Sequence, residues 1–223
     1  MEQPGELKYL EPKGAELREG VIARFSPDGK FVVAGASEGQ TIVFDWINNR
    51  QFEIGGRNKS GLSHQAYCSS ILFHPEDPTR FFSGGRAIID WNIETESGID
   101  KLEFHRSAVV AMKKAKTSSM ICSADSSGHV SVWHAKNPQF RSYCRIPWPV
   151  NDIAWCDEDQ TIIAAHSVGV SKIDSGTMKL ISTQMFDESG RAMPVQSNGE
   201  RLESSRANLA FGRRNGGLIL ANQ

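Results

Sequence analysis

The residues able to carry chemistry in this chain are scattered. Six histidines stand at His64, His74, His105, His129, His134 and His166, and four cysteines at Cys68, Cys122, Cys144 and Cys156. A metal or general-base site needs several such groups presented together by the elements that carry them. His129 and His134 are five residues apart and flank a strand pattern, so alternation sends them to opposite faces. The cysteines are separated by 54, 22 and 12 residues with no CxxC pair, the pattern of free buried thiols in a reducing compartment. Asp157-Glu158-Asp159 gathers three carboxylates in a turn, but a calcium site needs further oxygen ligands from elsewhere. A solvated turn is the plainer reading. Gly55-Gly56-Arg57-Asn58-Lys59-Ser60-Gly61 is Gly-rich and basic without phosphate-loop spacing, and reads as a loop. No HExxH, GxxxxGK[ST] or GxGxxG pattern occurs. The expectation is a protein with no catalytic residues, no cofactor and no metal.

The elements around these residues are strands. VIARFSPDGKFVVAGASEGQTIVFDW, SSILFHPEDPTRFFSGGRAIIDWNIETESG, AVVAMKKAKTSSMICSADSSGHVSVWHAKN and VNDIAWCDEDQTIIAAHSVGVSKIDSGTMKL share one order. Each has an apolar strand, a polar turn, a second strand, a further turn rich in small or polar residues, and a third strand ending in a bulky residue. Those bulky residues are Phe44, Trp91, Trp133 and Ile173, at separations of 47, 42 and 40 residues. Periods of this size mark repeat architectures, in which rigid stacked units present binding surfaces.

At 223 residues the chain can bury a sizeable core. Hydrophobic residues make up 39% and charged residues 23%; 25 Lys and Arg against 26 Asp and Glu leave a net charge of −1. That balance provides no long-range attraction to nucleic acid or to an anionic membrane surface, so neither is an expected partner. The polar start, MEQPGELKYLEPKG, lacks a secretory pattern, and no apolar run approaches a membrane span. An intracellular protein, cytoplasmic or nuclear, is expected.

The period and the pairs Phe44-Asp45, Trp91-Asn92, Trp133-His134 and Ile173-Asp174 resemble the WD-repeat family. The first and last pairs keep the family's Asp, and the middle two keep its Trp. The resemblance implies an all-β propeller of four-stranded blades in a single domain. Repeats lie near 21–60, 69–104, 105–146 and 150–182, with a loop over 183–206. A partial repeat at 207–223 would be completed by residues 6–19, with Tyr9 in the bulky position. Five blades are then visible, four whole and one split between the ends. A truncated larger propeller is the competing reading.

The same resemblance implies a buried network of His, Ser or Thr, Asp and Trp within a blade. In the third repeat it assigns His105 and Trp133, with Ser127 where the Asp is expected, and hence an incomplete network. His64 is a second candidate for the His. Loops preceding each first strand would line the top face, which points to Arg18, Tyr67, Arg106 and Trp148 as partner-binding residues. Arg, Tyr and Trp are enriched at interface hot spots. For Trp148, between Pro147 and Pro149, packing over the core is the competing role. The expected function is a non-enzymatic scaffold that binds a protein or peptide on that face within a larger complex. Two alternatives stand beside it. One is a lactonase-like propeller enzyme, which Val168–Thr177 also resembles; the other is an open propeller closed by a partner chain.

Overall fold

The computed structural model describes residues 20–36, 39–55, 64, 67–187, 189–193, 196–197, 209–214 and 217–222. Among them every regular element is a β-strand, and the strands form consecutive antiparallel sheets. The first sheet contains β1 (Gly20–Phe25), β2 (Phe31–Ala36), β3 (Thr41–Asp45) and β4 (Arg50–Glu53). The second contains β5 (Ser70–Phe73), β6 (Arg80–Gly84), β7 (Ile88–Asn92) and β8 (Ser97–Leu102). The third contains β9 (Val109–Lys114), β10 (Met120–Asp125), β11 (His129–His134) and β12 (Asn137–Arg145). The fourth contains β13 (Val150–Cys156), β14 (Thr161–His166), β15 (Gly169–Asp174), β16 (Leu180–Met185) and the two-residue β17 (Gln196–Ser197). A separate hairpin pairs β18 (Leu209–Arg214) with β19 (Gly217–Asn222).

Within each sheet, spatial order follows chain order. The first strand of each of the four sheets lies beside the first strand of the next, β1 by β5, β5 by β9 and β9 by β13. This is the packing of propeller blades, each built from one chain segment, with first strands innermost.

Side-chain alternation explains why the blades stack. On one face of the second sheet, Ile71, Phe73, Phe81, Ile89 and Trp91 pack against Val33, Val43 and Ile54 of the first. On its other face, Phe82 and Ile88 meet Val109, Ile121 and Trp133 of the third. Phe82 and Trp133 sit edge to face with centroids 5.0 Å apart, a favoured aromatic geometry. The opposite face of the third sheet, with Cys122, Ala124, Val130 and Val132, joins Ile153, Ile162, Ala164 and Ile173 of the fourth. Middle strands are therefore covered on both sides, and their sequences are almost continuously apolar. Trp91, Trp133 and Ile173 each turn toward the preceding blade and are at most 1% exposed.

One glycine is demanded by this packing. Gly55, just after β4, has φ of 67°, and a Cβ there would stand 2.1 Å from Cη2 of Trp91. The Gly-rich segment beginning at Gly55 thus includes a residue required by the Trp91 indole. The four cysteines are free, three buried and Cys156 half-buried. Burial pushes the Cys68 thiol up to about 12.

The region expected as a loop over 183–206 begins inside β16 and includes β17, which pairs with β16 through Ser182 and Thr183. β18 and β19 fall within the partial repeat expected at 207–223. The proposed completion of that blade by residues 6–19, including Tyr9 and Arg18, lies outside the described residues.

Candidate functional site

The third sheet holds a buried polar network at its centre. The loop between β8 and β9 carries His105, the middle of β10 carries Ser123, its end carries Asp125, and β11 carries Trp133. Trp133 Nε1 donates to Ser123 Oγ at 3.0 Å, and that oxygen lies 2.7 Å from His105 Nε2. Asp125 Oδ2, a carboxylate oxygen that only accepts, lies 3.3 Å from His105 Nδ1, which assigns a proton to Nδ1 and, in the neutral ring, leaves Nε2 to accept from the Ser123 hydroxyl. The side chains of His105 and Asp125 are fully buried.

This corrects the expectation placed on Ser127. The carboxylate is Asp125, two residues earlier, and the network is complete. Ser127 supports it, donating through its hydroxyl at 2.7 Å and its amide at 2.8 Å to Asp125 Oδ1. The amides of Arg106, Ser107 and His129 also donate to this carboxylate. Burial pushes Asp125 upward, but the hydrogen bonds from His105, Ser127 and His129 outweigh it and hold the acid well below its ordinary range. The offset was legible in principle: Ser123-Ala124-Asp125 ends a strand, where the side chain can turn back toward the loop bearing His105.

The second sheet has a shorter version. His64 Nε2 lies 2.6 Å from Ser83 Oγ, which accepts from Trp91 Nε1 at 2.6 Å. Two residues after Ser83 stands Gly85 instead of an acid. In the fourth sheet Ser171 bridges His166 Nε2 at 3.1 Å and Thr183 at 3.0 Å, with Ile173 in place of the Trp.

His129 does not pair with His134. Its Nδ1 lies 3.4 Å from His105 Nδ1, and burial followed by the neighbouring His105 lowers its basicity. Ligand atoms of His105, Asp125 and His129 fall within 4.8 Å of one another, a spacing a cation could bridge. His105 and Asp125 are also fully engaged by the Ser123 network and the loop amides.

Above this network lies a cavity of about 470 Å³ between the second and third sheets. Its lining includes Tyr67, Arg86, Arg106, Ser107 and Ser126, with Gly85 and Ala108 between them. The fold brings these together because loops before first strands and turns between second and third strands share one end of an antiparallel blade. Tyr67 and Arg106 each stand three residues before a first strand; Arg86 and Ser126 lie in the matching turns. The floor is stitched across the blades: Val109 N donates to Gly85 O at 2.7 Å, and Ser69 Oγ to Val109 O at 2.6 Å. Ser107 and Ser126 hydroxyls meet at 2.7 Å beside it.

Of the residues expected at a partner face, the structure brings Tyr67 and Arg106 to one cavity and adds Arg86. Arg86 was unmarked in sequence because it follows a second strand rather than preceding a first. Trp148 is elsewhere. It packs half-buried against the core of the third and fourth sheets and stacks on His166 at 4.6 Å and 11°.

The acidic turn is more than solvated. Asp157, Glu158 and Asp159 have consecutive φ values of 50°, 52° and 68°. Asp159 reaches the neighbouring blade, accepting from the amides of Lys116 at 2.9 Å and Thr117 at 2.7 Å and from the Thr117 hydroxyl at 2.7 Å.

Gly35-Ala36-Ser37-Glu38-Gly39 matches the letters of the GxSxG nucleophile pattern. It joins β2 to β3 of an antiparallel sheet, whereas the nucleophile elbow turns from a strand into a helix.

No family model matches the chain. It is 25% identical over 126 residues to Actin-interacting protein 1 of Drosophila melanogaster, covering 55% of this chain and 21% of that protein. It is also 25% identical over 131 residues to Cilia- and flagella-associated protein 337 B of Tetrahymena thermophila, covering 58% of this chain and 10% of that one. The chain thus spans about a fifth and a tenth of the relatives it matches. With the blade architecture, these weak similarities support a WD-repeat-like relationship. No helix among the described residues is long and apolar enough to cross a membrane.

Proposed function

We propose that this chain is a non-catalytic, intracellular propeller scaffold that holds a protein or peptide partner over the cavity between the second and third blades. The observation carrying this reading is the convergence of Tyr67, Arg86 and Arg106 on one concave, cross-braced site. Tyr67 is 45% exposed and both arginines are exposed, so hot-spot side chains are available on a rigid platform. The name of the Drosophila relative, which describes interaction with a protein, supports a protein partner. The near-neutral net charge supports a protein over nucleic acid.

Affinity purification tests the reading. Tyr67→Ala and Arg106→Ala should each lose partners recovered by the wild-type chain while unfolding at an unchanged temperature. Full recovery of every partner by the doubly substituted chain overturns it. A metal-dependent propeller enzyme would draw on His105, Asp125 and His129. Lactone hydrolysis that requires an added divalent metal and is abolished by His129→Ala would replace the scaffold reading.

A further inference from the structure

We infer that the cavity selects an acidic peptide, with adjacent carboxylates of the partner engaging Arg86 and Arg106. The inference rests on the partner-binding reading above and adds the chemistry of the occupant. Two exposed guanidiniums line the cavity, and no carboxylate of the described residues joins them there. Among the described residues neither Arg86 nor Arg106 has an ion-pair partner, whereas Arg50 and Arg80 are paired with Glu96 and Asp90. Asp125 lies just below and does not supply the missing anion. Its oxygens face His105 and Ser127 and the amides of four residues, Arg106, Ser107, Ser127 and His129. The Asp125 carboxylate therefore holds the Arg106 backbone amide and is not paired with its guanidinium. Ser107 and Ser126 add hydroxyls that can complete hydrogen bonds to a carboxylate, and Tyr67 adds an aromatic wall. Guanidinium–carboxylate bonds are charge-assisted and geometrically matched, which suits two arginines to two neighbouring acidic side chains.

The probe is a fluorescein-labelled peptide of alternating Glu and Gly titrated with the full chain, beside Gln-Gly, phosphoserine-Gly and Lys-Gly peptides of equal length. The Glu peptide should bind about tenfold or more tightly than the Gln peptide. Its affinity should fall as ionic strength rises from roughly 0.05 to 0.3 M. Arg86→Ala and Arg106→Ala should each weaken it and together abolish it, with an unchanged circular dichroism spectrum. Arg86→Glu with Arg106→Glu should transfer binding to the Lys peptide. Equal affinity for Glu and Gln peptides, binding that survives the double substitution, binding of the phosphoserine peptide alone, or no binding of any peptide each overturns the inference. Partner recovery that depends on Tyr67 would survive those outcomes, so failure of the acidic specificity is distinguishable from failure of the scaffold reading.

Discussion

His64 Nδ1 lies 2.6 Å from the point where a Cβ on Gly85 would stand. The same hypothetical carbon would approach Tyr67 O to 3.0 Å. Gly85 occupies, in the second blade, the place that Asp125 holds in the third. The second blade therefore draws its His-bearing loop in against bare backbone and has no room for the carboxylate.

Replacing Gly85 by Asp should consequently destabilise the fold rather than complete the network. Overpacking of this kind typically costs about 1–3 kcal/mol. Urea unfolding of Gly85→Asp against wild type measures it, and Gly85→Ala should show most of the same loss.

Removing the acid where it is used has the opposite cause and the same direction. Asp125→Ala strands a buried His105 and the amides of Arg106, Ser107, Ser127 and His129. A loss on the order of 3–5 kcal/mol is expected, against about 1 kcal/mol for Ser127→Ala, which removes one hydroxyl donor. Because the folded acid is held below its ordinary value of 3.8, this contribution is present above that pH and is lost as pH falls below it.

The strand grammar that exposes the blades was legible because each middle strand is buried on both faces. Phe31–Ala34, Ile88–Trp91 and Val130–Trp133 read as apolar runs and form β2, β7 and β11. The outer strands were not legible in the same way. Ser97–Leu102 and Asn137–Arg145 face solvent along much of their length, so their polarity hides a strand that backbone pairing with an apolar neighbour creates. Trp133 stands out from the repeat period, whereas His105, Tyr67 and Arg106 are singled out through the resemblance to WD repeats. Arg86 could not be, because its place depends on which turn reaches which end of the blade; Asp125 was missed although its position at the end of the Ser123-Ala124-Asp125 strand carries a signal.

Two buried histidines should make stability fall on mild acidification. Burial, with Lys101 nearby, lowers His64 from 6.5 to about 4, and burial alone lowers His166 to about 4. Between those values the unfolded chain takes up protons that the folded chain refuses, so stability declines as pH falls from 6.5 toward 4. The loss is on the order of 3 kcal/mol per histidine at most. Denaturant midpoints across this range should decline less steeply in His64→Gln.

Trp148→Ala should behave as a packing variant. Loss of its contact with the blade core and its stack on His166 should cost about 1–3 kcal/mol. Tyr67→Ala and Arg106→Ala should stay within roughly 0.5 kcal/mol of wild type, as surface substitutions do. Thermal unfolding of the three variants separates the core residue from the cavity residues.

Asp159→Ala should loosen the third and fourth blades from one another, since the acid holds the Lys116–Thr117 turn through three hydrogen bonds. A loss of about 1–2 kcal/mol is expected. Faster amide hydrogen exchange at Lys116 and Thr117, with Val130 and Val132 unaffected, would localise it.

The sequential strand order of the blades also bears on how the chain acquires its shape. Every strand in the four main sheets pairs with the strand immediately before or after it. Loop closures are therefore short, and a blade can assemble as soon as its own segment is available, without waiting for distant sequence. The seams between blades, such as Ser69 with Val109 and Asp159 with Thr117, can lock only after both neighbours exist. On this plan a blade can nucleate anywhere along the array, and its seams lock once its neighbours have formed.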